Sequence, residues 1–144
     1  MALVIDAVAE ATPDLVAALA ALLPQLNPAL LGPSIEELAI VLADHATTLV
    51  VASEGGVIVA VATLIVYSTP IWVKARIEGL TVDEPARGRG IGEALVKRCV
   101  DIARQRGARV VELQSAERRE VAHRLFVNMG FERRDSHVYR LTLS

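Results

Sequence analysis

The chain has 144 residues, of which 53% are hydrophobic and 22% charged, a profile that fits one globular domain and argues against a disordered segment. Its formal net charge is −2, from 15 basic and 17 acidic side chains, which argues against broad attraction to nucleic acid or an anionic membrane. The single cysteine, Cys99, leaves no internal disulfide and no cysteine cage for a metal.

With one Trp, two Tyr and two Phe, the core must be built mainly from Val, Leu, Ile and Ala. Leu3-Val4-Ile5 reads as an opening strand. Thr12 before Pro13 is a helix start, a hydroxyl N-cap followed by a proline whose missing N–H costs nothing. Pro24 is expected to stop that helix, so Gln25 to Pro33, with Asn27, Pro28 and Gly32, reads as a loop. Ser34 with Glu37 forms a capping box for a second helix ending near Asp44. Thr48 to Ser53 reads as a strand, Gly55-Gly56 as a hairpin turn, and Val57 to Tyr67 as the partner strand.

Ser68-Thr69-Pro70 makes a further turn. From Trp72 to Val82 the pattern alternates, with Lys74, Arg76 and Glu78 on one face and Val73, Ala75 and Ile77 on the other. Gly79 interrupts this strand, where a glycine often marks a bulge. Ile91 to Arg106 is an amphipathic helix with Ile91, Leu95, Cys99 and Ile102 as its apolar stripe and Gly107 as its C-cap. Arg109 to Leu113 reads as a buried strand, and Glu117 to Met129 as a helix ended by Gly130. Phe131 to Arg133 and Val138 to Leu143 read as two closing strands. The order implies a mixed α/β sheet in one domain, residues 1–144.

Asp6 and Glu10 stand where a signal peptide would be basic or apolar, and Val57 to Val66 is too short to span a bilayer as a helix. A soluble cytoplasmic protein is the expectation.

Arg87-Gly88-Arg89-Gly90-Ile91-Gly92 lies between a strand and a helix. The first N–H groups of a helix are unpaired, the helix dipole adds positive potential, and glycines allow close approach to the main chain. With Arg87 and Arg89 beside it, this is a candidate pyrophosphate cradle. A dinucleotide fingerprint would need a glycine where Glu93 or Leu95 stands, and a Walker loop would need Gly-Lys-Ser/Thr. A glycine-rich turn that merely opens a helix is the plain alternative.

From about Arg76 onward the chain resembles the GNAT superfamily of N-acetyltransferases. Arg87-x-x-Gly90-x-Gly92 is similar to its pyrophosphate motif. Leu80-Thr81-Val82 looks like the end of its central strand, whose main chain binds pantetheine, and Ala122 to Phe131 resembles its Ala-x-x-Leu-Tyr-x-x-x-Gly-Phe helix. The resemblance implies a GNAT-like α/β fold, a mixed and mostly antiparallel sheet with a splayed central strand flanked by helices. It implies acetyl-CoA as cofactor, held by Leu80, Thr81, Val82, Arg87, Gly88, Arg89, Gly90, Ile91, Gly92 and Phe126, and no metal.

Acyl transfer to an amine must remove a proton from a group whose pKa is near ~10, stabilise an oxyanion, and release a thiolate. The resemblance points to Glu78 as base, with a salt bridge to Arg76 or Lys74 as its structural alternative, and to a freed N–H near Leu80 to Val82 for the oxyanion. The family's tyrosine acid falls at Phe126, which has no hydroxyl. Tyr139, on the last expected strand, is the substitute assigned here, with an ordinary strand tyrosine as its alternative and His123 and His137 as further candidates; Ser115 could hydrogen-bond the cofactor or acceptor. A thiol pKa near ~8.5 also lets the thiolate leave without an acid.

The resemblance implies that the Gln25 to Pro33 loop and the Ser68 to Trp72 turn border the acceptor pocket. Trp72 lines that pocket or caps the core. Lys74, Arg76 and Arg134 could draw an anionic acceptor or only solvate a surface. The expected partner is a small-molecule primary amine, with no nucleic acid and no membrane, and relatives are often homodimers. A protein or peptide acetyltransferase and a non-catalytic acyl-CoA-binding module are the alternatives.

Overall fold

The computed structural model describes residues 2–115 and 120–144. The chain divides into two compact units, Met1–Gln114 and Ser115–Ser144. In the first, the elements run β1 (Leu3–Val8), α1 (Pro13–Leu26), α2 (Ile35–Ala43), β2 (Thr47–Glu54), β3 (Val57–Ser68), β4 (Val73–Val82), a 3-10 turn (Glu84–Ala86), α3 (Ile91–Gln105) and β5 (Val110–Leu113). The five strands form one sheet in the order β1-β2-β3-β4-β5. β1 to β4 are antiparallel neighbours and β5 joins β4 in parallel, giving the mixed, mostly antiparallel α/β sheet that the sequence implies.

The helices begin where their caps dictate. The Thr12 hydroxyl accepts from the Leu15 N–H at 3.2 Å. Ser34 and Glu37 close a reciprocal capping box, with Ser34 accepting from the Glu37 N–H and Glu37 accepting from the Ser34 N–H. The hairpin turn Gly55-Gly56 has φ of 57° and 81°, so both central residues are left-handed. That is the two-residue turn whose twist matches antiparallel strands, and it is available at little cost only to glycine.

Pro24 does not end α1, contrary to the expectation. The helix runs through it to Leu26. A proline inside a helix removes the bond to the carbonyl four residues back. The turn that follows is still held, by the Asn27 N–H on the Leu23 carbonyl and by the side chain of Gln25. Gln25 is therefore helical, and the connecting segment begins at Asn27.

Alternation along the strands splits the core into two layers. On one face Leu15, Leu19 and Leu22 of α1 and Leu38 of α2 pack with Leu49, Val51 and Val61. On the other face Val50, Ala52, Ala60, Ala62 and Leu64 are buried under α3, whose inner side is Ile91, Leu95, Val96, Cys99, Ile102 and Ala103. Each fully buried Leu or Val contributes roughly 1.5–3 kcal/mol relative to exposure.

Gly79 does mark a bulge. The β3–β4 register passes from Thr63↔Glu78 to Val61↔Thr81, so Gly79 and Leu80 together oppose Ala62. Gly79 has φ of +63°, the left-handed residue that a glycine bulge needs. The extra residue reverses the alternation. Before it, Ala75 and Ile77 oppose Val66 and Leu64 under α3; after it, Thr81 opposes Val61 under α1. β5, expected to be buried, is half-buried along its whole length because it is the last strand of the sheet.

The second unit contains α4 (Glu120–Asn128). The expected start of this helix at Glu117 lies outside the described residues. Gly130, with φ of 98°, closes it: its N–H reaches the Val127 carbonyl and the Phe131 N–H reaches the Phe126 carbonyl. The Phe126 and Phe131 rings meet edge to face at 5.9 Å.

The closing strands expected over Phe131 to Arg133 and Val138 to Leu143 are not formed; the segment has no regular structure. A strand exists only as part of a ladder. Here Val138, Tyr139, Leu141 and Leu143 are all exposed and make no such pairing. Alternation of apolar residues signals a segment able to pair, and it does not supply the neighbour.

Candidate active site

β4 carries the candidate site. Its ladder with β5 consists of Lys74↔Val110, Ala75↔Val111, Arg76↔Glu112 and Ile77↔Leu113, and stops there. From Glu78 to Val82 β4 continues beside β3 with no β5 residue opposite. Among the described residues, one edge of the main chain is thereby left without a sheet partner. The ladder ends where the resemblance implies a splay, and the bulge at Gly79 lies just beyond that point.

Glu78 is the first residue beyond the last rung. Its carboxylate is about half exposed and Oε1 accepts from Nε of Arg76, so the expected alternative of a salt bridge with Arg76 is present. Arg76 also reaches Oε1 of Gln114. Lys74 is paired with Glu112 at 2.8 Å, and that bond holds the Lys74 ammonium above its usual pKa. Lys74 is thus a cation at neutral pH and not a base. Arg134 faces Glu132 at 3.9 Å in the second unit. The three cations proposed for an anionic acceptor all have carboxylate partners.

Beyond the bulge, Leu80 and Val82 are half-buried and Thr81 is buried, its hydroxyl donating to the Gly79 carbonyl at 3.1 Å. Only the main chain of Thr81 remains for a ligand.

The glycine loop follows directly. Gly88 and Gly90 have φ of 77° and 80°, and a Cβ added at either would meet nothing within 4 Å. Gly90 is the N-cap of α3 and has no side chain to cap it. The first N–H groups of α3 therefore lack both an intrahelical partner and a capping side chain. Open space, left-handed glycines and an uncapped helix start together fit an anion held by the main chain. Gly92 is different: a Cβ there would sit in ordinary contact with Val82 at 3.5 Å, so α3 lies against β4 here with room for a methyl. Ile91 is buried, so it can offer a ligand only its N–H.

The two arginines are engaged in the fold. Arg87 Nε donates to the Val82 carbonyl at 2.9 Å and Nη2 to Oε1 of Gln25 at 3.3 Å. Arg89 is paired with Glu54 at the end of β2. Neither anchor is legible in the local sequence. Gln25 follows a proline and reads as loop, and no local pattern links Glu54 to a residue 35 positions on.

Residues 15–131 match the model of the acetyltransferase (GNAT) family. The chain belongs to the GNAT acetyltransferase family. Curated relatives of this GNAT chain include an uncharacterized N-acetyltransferase of Methanocaldococcus jannaschii, 38% identical over 61 residues. That match takes in 42% of this chain and 27% of the relative, so the chain spans about a quarter of the curated protein it matches.

Solved structures share the fold across nearly the whole chain. An aminoglycoside acetyltransferase from an uncultured soil metagenomic sample, in complex with sisomicin, superposes with a TM-score of 0.85 at 22% identity, covering 98% of this chain and 97% of that one. A ribosomal-protein-alanine N-acetyltransferase from Brucella melitensis gives 0.78 at 21%, covering 99% and 100%.

Of the remaining candidate residues, Phe126 is buried and Tyr139 is 92% exposed, both in the second unit. Trp72 is partly exposed with the Arg109 guanidinium 5.3 Å from its ring centre, a cation–π contact. Cys99 lies wholly within the core, and burial pushes its thiol up to about 12. It is protonated at neutral pH and unsuited to carry an acyl group. Among the described residues no His, Cys, Asp and Glu cluster could hold a metal ion, and no helix is long and apolar enough to cross a membrane.

Proposed function

We propose that the chain is an acetyl-CoA-dependent N-acetyltransferase acting on a primary amine of a small molecule, with the whole chain working as one acyltransferase domain. The observation that carries this reading is the end of the β4–β5 ladder at Ile77 and Leu113, followed on the same strand by the glycine loop. A released main-chain edge and an anion cradle are thus separated by one short 3-10 turn.

In this reading the N–H groups at the start of α3 and the main chain of Gly88, Arg89 and Gly90 hold the pyrophosphate, with Arg87 and Arg89 contributing charge. The main chain of Leu80, Thr81 and Val82 holds the pantetheine arm. Bound acetyl-CoA supplies the thioester that is the acyl donor. A free N–H along this edge stabilises charge developing on the carbonyl oxygen. Glu78 takes the proton of the attacking amine directly or through water, and Arg76 holds the carboxylate in place. Glu78 is accessible, which suits a base that must exchange protons with solvent.

Phe126 is assigned to packing against the cofactor on the strength of its motif, and Tyr139 to protonating the leaving thiolate as a substitute for the hydroxyl that Phe126 lacks; neither assignment rests on placement. A thiol pKa near ~8.5 means that departure does not depend on Tyr139. Tyr139→Phe should therefore lower turnover by less than the hundredfold typical of an essential acid.

The ion-paired row of Lys74, Glu112, Arg76 and Glu78 presents directional donors and acceptors without net charge, which suits a polyfunctional amine. The fold likeness to the Brucella protein keeps a protein or peptide as a second acceptor class. Steady-state thiol release over a panel of small amines and peptides tests the reading. Turnover with small amines supports it, turnover with peptides alone transfers it to the protein class, and CoA binding without turnover on either makes the chain a binding module.

A further inference from the structure

Gln25, in the last turn of α1, has a side-chain amide with four hydrogen bonds. Nε2 donates to the Ala21 carbonyl at 3.3 Å and to Oδ1 of Asp83 at 2.8 Å. Oε1 accepts from the Glu84 N–H at 3.0 Å and from Nη2 of Arg87 at 3.3 Å. A glutamine amide offers two donors and two acceptor sites, so this one is fully used. Its orientation follows, because the reverse would place N–H against N–H at Glu84 and oxygen against oxygen at Asp83.

Three of these four partners lie in Asp83–Arg87, the stretch that joins β4 to the glycine loop. That stretch is otherwise tied by the Asp83 N–H to the Val59 carbonyl and by Arg87 Nε to the Val82 carbonyl. The loop beyond holds Gly88 and Gly90 in left-handed conformations, and glycine has the most backbone freedom to lose on ordering. On its far side it is fixed by Ile91 in the core. On its near side Ala86 is buried, and the side-chain hydrogen bonds that reach the stretch from a helix, among the described residues, come from Gln25. A cradle held at both ends before the ligand arrives spares the ligand the cost of ordering it.

We infer that Gln25 is a positioning residue for the phosphate loop, acting through Glu84 and Arg87. The inference rests on the reading that this loop holds the pyrophosphate of an acyl-CoA.

The test is a charge-swap cycle at Gln25 and Asp83. Gln25→Glu removes both donors and sets a carboxylate against that of Asp83. Adding Asp83→Asn restores a donor opposite the new carboxylate, while the acceptor toward Glu84 and Arg87 is kept throughout. CoA affinity is read by titration calorimetry, KM and kcat by thiol release, and amide hydrogen exchange over residues 83–92 in the ligand-free protein.

Gln25→Glu should raise Kd and KM for the donor on the order of tenfold with kcat within about twofold, and speed exchange over the loop. The Gln25→Glu/Asp83→Asn protein should recover most of the affinity and protection, and Asp83→Asn alone closes the cycle. Unchanged affinity in Gln25→Glu, or a double variant no better than it, overturns the inference. A wild-type protein that binds no CoA would instead defeat the phosphate reading. Exchange in the ligand-free variants then still decides the anchoring, which fails if Gln25→Glu leaves the loop as protected as before.

Discussion

Ile77 and Leu113 form the last rung between β4 and β5, and Glu78 stands one residue beyond it. The carboxylate is thereby at the point where the sheet opens, with a neighbouring arginine to hold it. That position is what separates Glu78 from the other carboxylates on the surface.

Glu78→Gln should lower kcat by roughly a hundredfold or more, the usual scale for loss of a general base, while CoA affinity changes little. Thiol release with the best amine and calorimetry with CoA measure the two. Turnover equal to wild type would leave the Arg76–Glu78 pair as a surface ion pair only.

Gly90→Val should abolish detectable CoA binding. It forces a branched side chain into φ of 80° at an N-cap and fills the open space above it. The left-handed conformation alone costs about 1–2 kcal/mol, so a modest loss of thermal stability should accompany the loss of affinity. Gly92→Ala is the contrast. Its Cβ meets only a Val82 methyl at ordinary distance, so affinity should fall far less.

Cys99 should resist thiol reagents at pH 8 in the folded protein and react in full after denaturation. Its burial and its pKa of about 12 both keep it a buried thiol. Rapid labelling of the native protein would contradict the packing of α3.

Hydrogen bonds from Ser34 hold the Glu37 carboxylate below its ordinary value of 4.5. A depressed folded pKa stabilises the fold above the unfolded value and loses that contribution as pH falls through the folded one. Glu37→Gln should therefore be less stable than wild type at neutral pH, and the gap should close below pH 4.5. Denaturant midpoints across that range measure it.

Much of this is legible in the chain. Thr12-Pro13, the Ser34/Glu37 box and Gly55-Gly56 are local signals whose partners lie within three residues, and each forms as expected. The bulge at Gly79 and the helix opening at Gly90 are readable for the same reason. Anchors that reach across the fold are not. Gln25 meets Asp83 and Arg89 meets Glu54 only after the sheet has brought them together. Pro24 misleads because tertiary bonds carry α1 through it. The strands expected after Phe131 mislead because alternation describes a surface and says nothing of its partner.

The bulge has one more consequence. Because Gly79 and Leu80 share a single opposite residue, Val82 and Ile77 face the same layer although their numbers differ in parity. Loss of one residue here would leave the strand long enough yet turn its outer half over. Thr81 would rotate toward α3 and Val82 away from Gly92, so the start of α3 would lose its contact with the strand. Insertions and deletions in this short stretch should be tolerated far less than substitutions.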